Sequence, residues 1–220
     1  MDTGFEVAVF DLDGVLIDSE AVNIHAMQKT FGALGRPLTA NELAMIPERS
    51  SQEMVPLLLR SRGLPEERDQ PTIDIVRHNY DQSWRSMVML MPETRKVLKH
   101  LTKAGVVLAI GTTNRAAVAE RFVMVFEFEN VFSFIISGEM VKKKKPDPEV
   151  YALAAERSGR PRDRILVIED TEVGVEAAKA AKLFCAAVPG YYSQSHDFSS
   201  ADYTFPSLAG ILPLFKLSAG

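Results

Sequence analysis

The sequence predicts an α/β protein, in which a doubly wound parallel sheet forms the core and an all-helical segment is inserted into it. Apolar runs of strand length alternate with stretches of helical apolar spacing, a pattern typical of a parallel sheet covered on both faces. More than ninety residues separate the first apolar run from the second, far beyond one crossover helix. The 220 residues, 46% of them hydrophobic, suffice for a core and an insert. We therefore assign residues 1–16 and 90–220 to the core and residues 17–89 to the insert.

Five apolar runs predict the strands of the core. They are VAVF (7–10), VVLAIG (106–111), FSFII (132–136), RILVI (164–168) and the weaker CAAV (185–188). Helical spacing follows several of them, and PETRKVLKHLTKAG precedes the second. In that segment Pro92 is expected in the first turn of a helix and Gly105 at its C-terminal end.

The insert shows the apolar spacing and the start signals of helices. The segment SEAVNIHAMQKTFGALG carries a predicted apolar face of Ile24, Met27, Phe31 and Leu34. Thr39 with Glu42, and Ser50 with Glu53, form capping-box patterns that mark the N-termini of two further helices.

Composition and charge argue against several classes of protein. The formal net charge is −4, so a nucleic-acid partner is not expected. No apolar run approaches the roughly 20 residues of a membrane helix, and MDTGFE does not have the form of a signal peptide. We therefore expect a cytoplasmic protein without a membrane partner. The single cysteine, Cys185, cannot form an internal disulfide, and a monomer is our default expectation for the oligomeric state.

Polar and charged side chains directly follow three of the predicted strands. They are Asp11 and Asp13 after VAVF, Thr112, Thr113 and Asn114 after VVLAIG, and Glu169 and Asp170 after RILVI. In open parallel sheets, ligands bind beyond the carboxyl ends of the strands, where these groups would converge. The segment KKKKPDPEVY can bring Lys145 to the same edge.

The predicted cluster suits the chemistry of phosphoryl groups. Four crowded carboxylates raise one another's pKa unless a cation neutralises them, and an oxygen-only ligand set favours Mg²⁺ over zinc or copper. A metal, an ammonium group and hydroxyl and backbone donors can together stabilise a phosphoryl group. One aspartate can then attack phosphorus while the other transfers protons. Each signal alone is also compatible with a helix cap or a solvated turn; their joint placement at strand ends favours a site.

The chain resembles the haloacid dehalogenase superfamily, in the subfamily with a helical cap inserted after the first strand. FDLDGVLIDSE, IGTTN, KPDPEVY and VIEDTEVGVEAAKAA resemble the first to the fourth family motifs in order. The resemblance covers nearly the whole chain and is strongest to the branch of β-phosphoglucomutases and sugar phosphatases. It implies a Rossmann-like core with residues 17–89 as the cap domain.

The resemblance implies a role for each residue of the first two motifs. Asp11 is implied as the nucleophile that forms an aspartyl-phosphate. Asp13 would protonate the leaving oxygen and then deprotonate the attacking water. Thr112, with Thr113 and Asn114 after it, would hold the phosphate oxygens.

The resemblance also implies a Mg²⁺ site and a substrate loop. Lys145 would steady the nucleophile and the phosphoryl group. The implied metal ligands are the Asp11 carboxylate, the Asp13 carbonyl, Asp170, and Glu169 either directly or through water. Arg49 lies in IPERSS, where relatives carry a Gly-Arg/Lys-Ser turn, and Glu48 takes the place of the glycine. Arg49 either forks onto a second anionic group of the substrate or is an exposed loop residue.

Phosphate-ester hydrolysis is the activity that the resemblance favours. The substrate would be a small phosphorylated metabolite, and a sugar phosphate is the expected class. Mutases of the same branch use a cap histidine for proton transfer, and Asn23 occupies that position here, with His25 two residues further on. Because an amide cannot act as a general acid or base, the mutase is the second choice. A non-catalytic protein that only accepts phosphate is a third, which the large insert makes less favoured.

Overall fold

The computed structural model describes residues 4–47 and 49–215. The chain divides into two compact units. One contains the described residues up to Ile17 and from Leu90 onward, and the other runs from Asp18 to Met89.

The described chain forms eight strands in two sheets. The strands are β1 (Val7–Phe10), β2 (Ile17–Asp18), β3 (Met89–Leu90), β4 (Val107–Gly111), β5 (Phe134–Ile136), β6 (Ile165–Glu169), β7 (Phe184–Ala187) and β8 (Tyr203–Thr204). Strands β2 and β3 pair with each other, and the other six form one sheet in the order β5–β4–β1–β6–β7–β8. All neighbours in the large sheet run parallel, which confirms the predicted fold class.

The sheet register determines where the ends of the central strands lie. Phe10 at the end of β1 pairs with Ile110 of β4 on one side and with Ile168 of β6 on the other. The order reverses around β1, because the chain first adds β4 and β5 on one side and then β6, β7 and β8 on the other. The residues that follow β1, β4 and β6 therefore share the edge at which doubly wound sheets bind ligands.

The central strands are buried on both faces, and their side chains are apolar except at Gly111, which ends β4, and Glu169, which ends β6. Val7 and Val9 of β1 pack in one cluster with Val167 of β6 and with helices on that face, while the intervening Ala8 and Phe10 are also fully buried. The lone Cys185 lies in the same cluster as a free thiol.

Four of the five predicted strands have different limits in the structure. FSFII yields only Phe134–Ile136, and VVLAIG begins at Val107 rather than at 106. The strand from RILVI runs to Glu169, so Glu169 is its last residue and not the first one after it. The run CAAV pairs one residue earlier, as Phe184–Ala187.

Eight α-helices accompany these strands in the described chain. The second unit contains α1 (Glu20–Ala33), α2 (Ala40–Ala44), α3 (Ser51–Arg60) and α4 (Asp69–Met87); the first contains α5 (Thr94–Lys103), α6 (Ala116–Val125), α7 (Glu149–Ser158) and α8 (Glu172–Ala180). Pro92 lies before α5 and not in its first turn, because Glu93 occupies the N-cap position. Gly105 does follow the end of α5, with a φ of 75°.

The helical unit has its own apolar core. Met27 and Phe31 of α1 are fully buried, and Ile24 packs against the same cluster, but Leu34 at the end of α1 is exposed. Both predicted capping boxes are present, at the starts of α2 and α3. Within the described residues, every helix is too short or too polar to cross a bilayer.

Candidate active site

The ends of β1, β4 and β6 meet at Lys145. Its ammonium donates to Asp11 Oδ1, to Glu169 Oε1 at 2.6 Å and to the Gly111 carbonyl at 3.2 Å. The side chain of Lys145 is 8% exposed, so these three contacts replace its hydration. Asp11 is fixed to the neighbouring strand as well, because its N–H donates to the Ile168 carbonyl at 2.9 Å.

Three buried carboxylates lie together at this point. One oxygen from each of Asp11, Glu169 and Asp170 falls within 4.8 Å of the others. Lys145 is paired with two of them, Asp11 and Glu169. Oxygen donors in a buried, anionic group fit a hard divalent cation, and the cluster is able to bind such a metal.

The buried charges shift one another's protonation. Burial raises the pKa of Asp11 to about 7; the Lys145 ammonium opposes this rise, and the Glu169 and Asp13 carboxylates add to it. Burial alone would lower the pKa of Lys145, but the neighbouring Asp11 and Glu169 outweigh it and raise this pKa above its ordinary value. Lys145 is therefore charged at neutral pH. A metal beside Asp11 would favour the ionised form of the Asp11 carboxyl.

The sequence predicted a cluster of four carboxylates, but only three lie together, and Asp13 is outside that group. Its Oδ2 accepts from the side-chain amide of Asn114 at 3.1 Å. Thr112 is buried, and its hydroxyl accepts from the Asn114 N–H at 3.0 Å. The loop after β4 thereby presents Asn114 to Asp13, while Thr113 lies between the two anchoring residues.

The simpler explanations of these residues as helix caps do not hold. The N-cap of α8 is Thr171, whose hydroxyl accepts from the Gly174 N–H at 3.2 Å. The N-cap of α6 is Arg115 rather than a residue of the Thr-Thr-Asn segment. The polar residues at the strand ends are therefore not required for starting the helices that follow.

Several residues of the site escaped the sequence analysis. A Cβ at Gly14 would lie 2.0 Å from Asp170 Oδ2, and one at Gly174 would lie 2.0 Å from the Glu169 carboxyl carbon. A Cβ at Gly138 would meet the Thr113 carbonyl at 2.3 Å. Tyr151 of α7 donates its hydroxyl to Glu169. All but Gly138 stand within the quoted motifs, but the motifs do not indicate which side chain each of them contacts.

The remaining predicted residues belong to the helical unit. Arg49 is exposed, and its guanidinium donates to the Met45 carbonyl at 2.7 Å. The side-chain amide of Asn23 in α1 donates to the Arg49 carbonyl at 3.5 Å, and His25 lies one turn or less further along α1. Glu48 lies outside the described residues.

Comparison with known proteins decides the family. The family model of haloacid dehalogenase-like hydrolases matches residues 8–188. The chain belongs to this family. The resemblance drawn from the four motifs is thereby confirmed.

Relatives of this haloacid dehalogenase-like hydrolase include phosphatases. The protein CbbY of Cereibacter sphaeroides is 30% identical over 215 residues, which cover 93% of this chain and 93% of that protein. A phosphorylated carbohydrates phosphatase of Thermotoga maritima is 29% identical over 182 residues, covering 80% and 81%.

A solved structure extends the comparison. A mutant of CbbY from Rhodobacter sphaeroides, in complex with xylulose-(1,5)bisphosphate, superposes with a TM-score of 0.82 at 26% identity and covers 97% of this chain and 100% of that one. This hydrolase is accordingly an enzyme, and it belongs to the phosphatases of its family, as the sequence predicted.

Proposed function

We propose that this enzyme is a Mg²⁺-dependent phosphatase that hydrolyses a small phosphorylated sugar through an aspartyl-phosphate on Asp11. The observation that carries the proposal is the Lys145 ammonium, which joins Asp11 to Glu169 beside Asp170 at the ends of three parallel strands. This arrangement supports the proposal because it brings the Asp11 carboxylate, a buried ammonium and two further carboxylates together.

In the first step, a carboxylate oxygen of Asp11 attacks the phosphorus, and the bond from phosphorus to the ester oxygen breaks. Asp13 gives a proton to the leaving oxygen, so the product departs as an alcohol. Lys145 balances the charge of Asp11 and of the phosphoryl oxygens, and Thr112, Thr113 and Asn114 supply donors to those oxygens.

In the second step, Asp13 takes a proton from water, and the oxygen of that water attacks the phosphorus of the aspartyl-phosphate. Inorganic phosphate leaves, and the Asp11 carboxylate is regenerated. The Asn114 amide supports this role because its 3.1 Å contact with Asp13 Oδ2 orients the carboxylate that receives the proton.

The residues that would hold Mg²⁺ are the Asp11 carboxylate, the Asp13 carbonyl and Asp170, with Glu169 ligating directly or through water. When bound, the metal offsets the charge of the carboxylates and of the phosphoryl group.

We infer a sugar phosphate as the substrate class from the relatives and from the helical unit. One relative is named a phosphatase of phosphorylated carbohydrates, and the mutant CbbY structure contains a sugar bisphosphate. The unit from Asp18 to Met89 would act as a cap that excludes water during phosphoryl transfer, with Arg49 as an anchor for a second anionic group.

Phosphate release from a panel of esters tests the proposal. We expect Mg²⁺-dependent hydrolysis of p-nitrophenyl phosphate and of at least one of xylulose 1,5-bisphosphate and β-glucose 1-phosphate. Hydrolysis of 2-phosphoglycolate alone would contradict the sugar-phosphate class. Asp11→Asn and EDTA should abolish it, while Asp163→Asn, at an exposed carboxylate, should leave it unchanged. Activity that survives Asp11→Asn would refute the nucleophile.

The same assay separates hydrolysis from the mutase alternative. A mutase would convert β-glucose 1-phosphate to glucose 6-phosphate when a bisphosphate primer is added, with little release of phosphate. Asn23 in place of the cap histidine supports hydrolysis.

A further inference from the structure

We propose that the Tyr151 hydroxyl is a positioning group for this phosphatase, because it completes the protein contacts of Glu169 and so commits Glu169 to Lys145 instead of to the metal. The inference rests on the proposed function. It deepens that function by assigning Tyr151 a part in the reaction and by removing Glu169 from direct contact with the metal.

Both carboxylate oxygens of Glu169 accept hydrogen bonds from protein donors. Oε1 accepts from the Tyr151 hydroxyl and from the Lys145 ammonium at 2.6 Å. Oε2 accepts from the Asp170 N–H at 3.1 Å and from the hydroxyl and N–H of Thr171 at 3.2 and 3.4 Å. A carboxylate offers about four lone-pair sites, two on each oxygen, and the protein already fills them. A direct bond to a metal would require one of these donors to leave.

Glu169 has no room to turn toward another partner. It is 1% exposed, and a Cβ on Gly174 of α8 would lie 2.0–2.1 Å from its carboxyl atoms. The carboxylate is therefore held against the backbone of α8, which is possible only because residue 174 has no side chain.

The side chain of Tyr151 is itself held in place by packing. Its side chain is fully buried, and its ring lies against the face of the sheet, where a Cβ on Gly111 would be 3.0 Å from the ring. The Lys145 ammonium lies 4.7 Å from the centre of the same ring. The ring of Tyr151 thus lies beside the Lys145 ammonium, and its hydroxyl donates to Glu169, which also accepts from Lys145.

These contacts predict different tasks for the two neighbouring acids. Asp170 would bind the metal, while Glu169 would aim the Lys145 ammonium at Asp11. Phenylalanine at position 151 keeps the ring and its packing but removes the donor, which leaves one lone pair of Glu169 open and loosens the aim of Lys145.

Kinetics of Tyr151→Phe test the positioning role with p-nitrophenyl phosphate at saturating Mg²⁺. We expect kcat to fall about tenfold, the effect of losing one charge-assisted hydrogen bond that supports the transition state, with KM unchanged within about twofold. Tyr203→Phe is the matched control in the same unit and should leave both constants unchanged. Unchanged kcat in Tyr151→Phe, or a loss confined to KM, would overturn the role of the hydroxyl.

Direct calorimetric titration with Mg²⁺ tests the division of tasks without requiring turnover. We expect Glu169→Gln to keep the Mg²⁺ affinity within about threefold, and Asp170→Asn to weaken it more than about tenfold. Equal losses in the two variants would make Glu169 a direct ligand and overturn the inference. A wild-type enzyme that hydrolyses no ester of the panel would refute the proposed function instead, and the titration would still decide the role of Glu169.

Discussion

Replacing Gly14 by alanine should release Asp170 from its position and with it the metal. Gly14 has a φ of 81°, and a Cβ there would lie 2.0 Å from Asp170 Oδ2 and 2.6 Å from its Cγ. An ordinary contact begins at 3.4 Å, so the carboxylate oxygen must retreat by about 1.4 Å (3.4 minus 2.0). Metal–ligand distances tolerate only about 0.2 Å, so Asp170 could no longer share a cation with Asp11.

The assay has two parts, a calorimetric Mg²⁺ titration and phosphate release at a fixed, limiting Mg²⁺ concentration. We expect the Mg²⁺ affinity of Gly14→Ala to fall by at least about tenfold, as for the loss of one ligand, and activity to fall in parallel. The backbone strain of about 1–2 kcal/mol is shared by the control Gly159→Ala, where φ is 64° and nothing lies within 4 Å of the new Cβ. The control should lose stability to urea but keep its metal affinity. Wild-type Mg²⁺ affinity in Gly14→Ala would refute the reasoning.

Three further predictions concern charge and backbone strain. Lys145→Gln should reduce kcat for p-nitrophenyl phosphate by about a hundredfold or more, because Asp11 loses its buried cation; a smaller loss in steady-state kinetics would contradict this. Lys182 closes α8 with a φ of 58°, so Lys182→Gly should raise the free energy of unfolding by about 1 kcal/mol in urea titration, and Lys182→Ala should not. The Arg62 guanidinium, helped by the Thr39 N–H, lowers the pKa of Glu42 to about 2 from 4.5. The ionised Glu42 therefore stabilises the folded state fully above pH 4.5, and this stabilisation is lost as the pH falls toward 2. The difference in unfolding free energy between wild type and Glu42→Gln, about 1 kcal/mol at pH 7 after solvent screening, should shrink over that range; a constant difference would argue against the Glu42–Arg62 pair.

The convergence of the site could be predicted because parallel strands place their carboxyl ends at one edge. Once VAVF, VVLAIG and RILVI are strands of one parallel sheet, Asp11, Thr112 and Glu169 lie at the same edge. The structure adds that the three strands are direct neighbours. The limits of the strands were harder to predict, because a run of apolar residues need not begin and end where the backbone pairs with a neighbouring strand. Phe132 extends the apolar run, but only Phe134, Ile135 and Ile136 pair with β4, while Ser133 contributes a single N–H bond to the Leu108 carbonyl at 2.8 Å. The two-residue strand β8 has no pattern long enough to detect.

The contacts within the site depend on tertiary approach, which the sequence does not specify. The side-chain amide of Asn114 donates to Asp13, which lies 101 positions earlier in the chain. Asp13 has this partner and does not belong to the group formed by the three other carboxylates. Tyr151 follows the apolar spacing of α7 and would serve equally well as a core residue. The functions of the site residues and of the helical unit stay predictions.

The Lys145 ammonium contacts groups at the ends of three strands, and this has a consequence for the lifetime of the folded enzyme. Asp11, Glu169 and Asp170 share this one ammonium, so repulsion among the three acids weakens the native state when no metal adds further positive charge. Any divalent ion that binds the native state alone raises its resistance to heat by mass action. A divalent ion bound at this cluster would then protect the fold, and enzyme stripped of that ion would melt at a lower temperature.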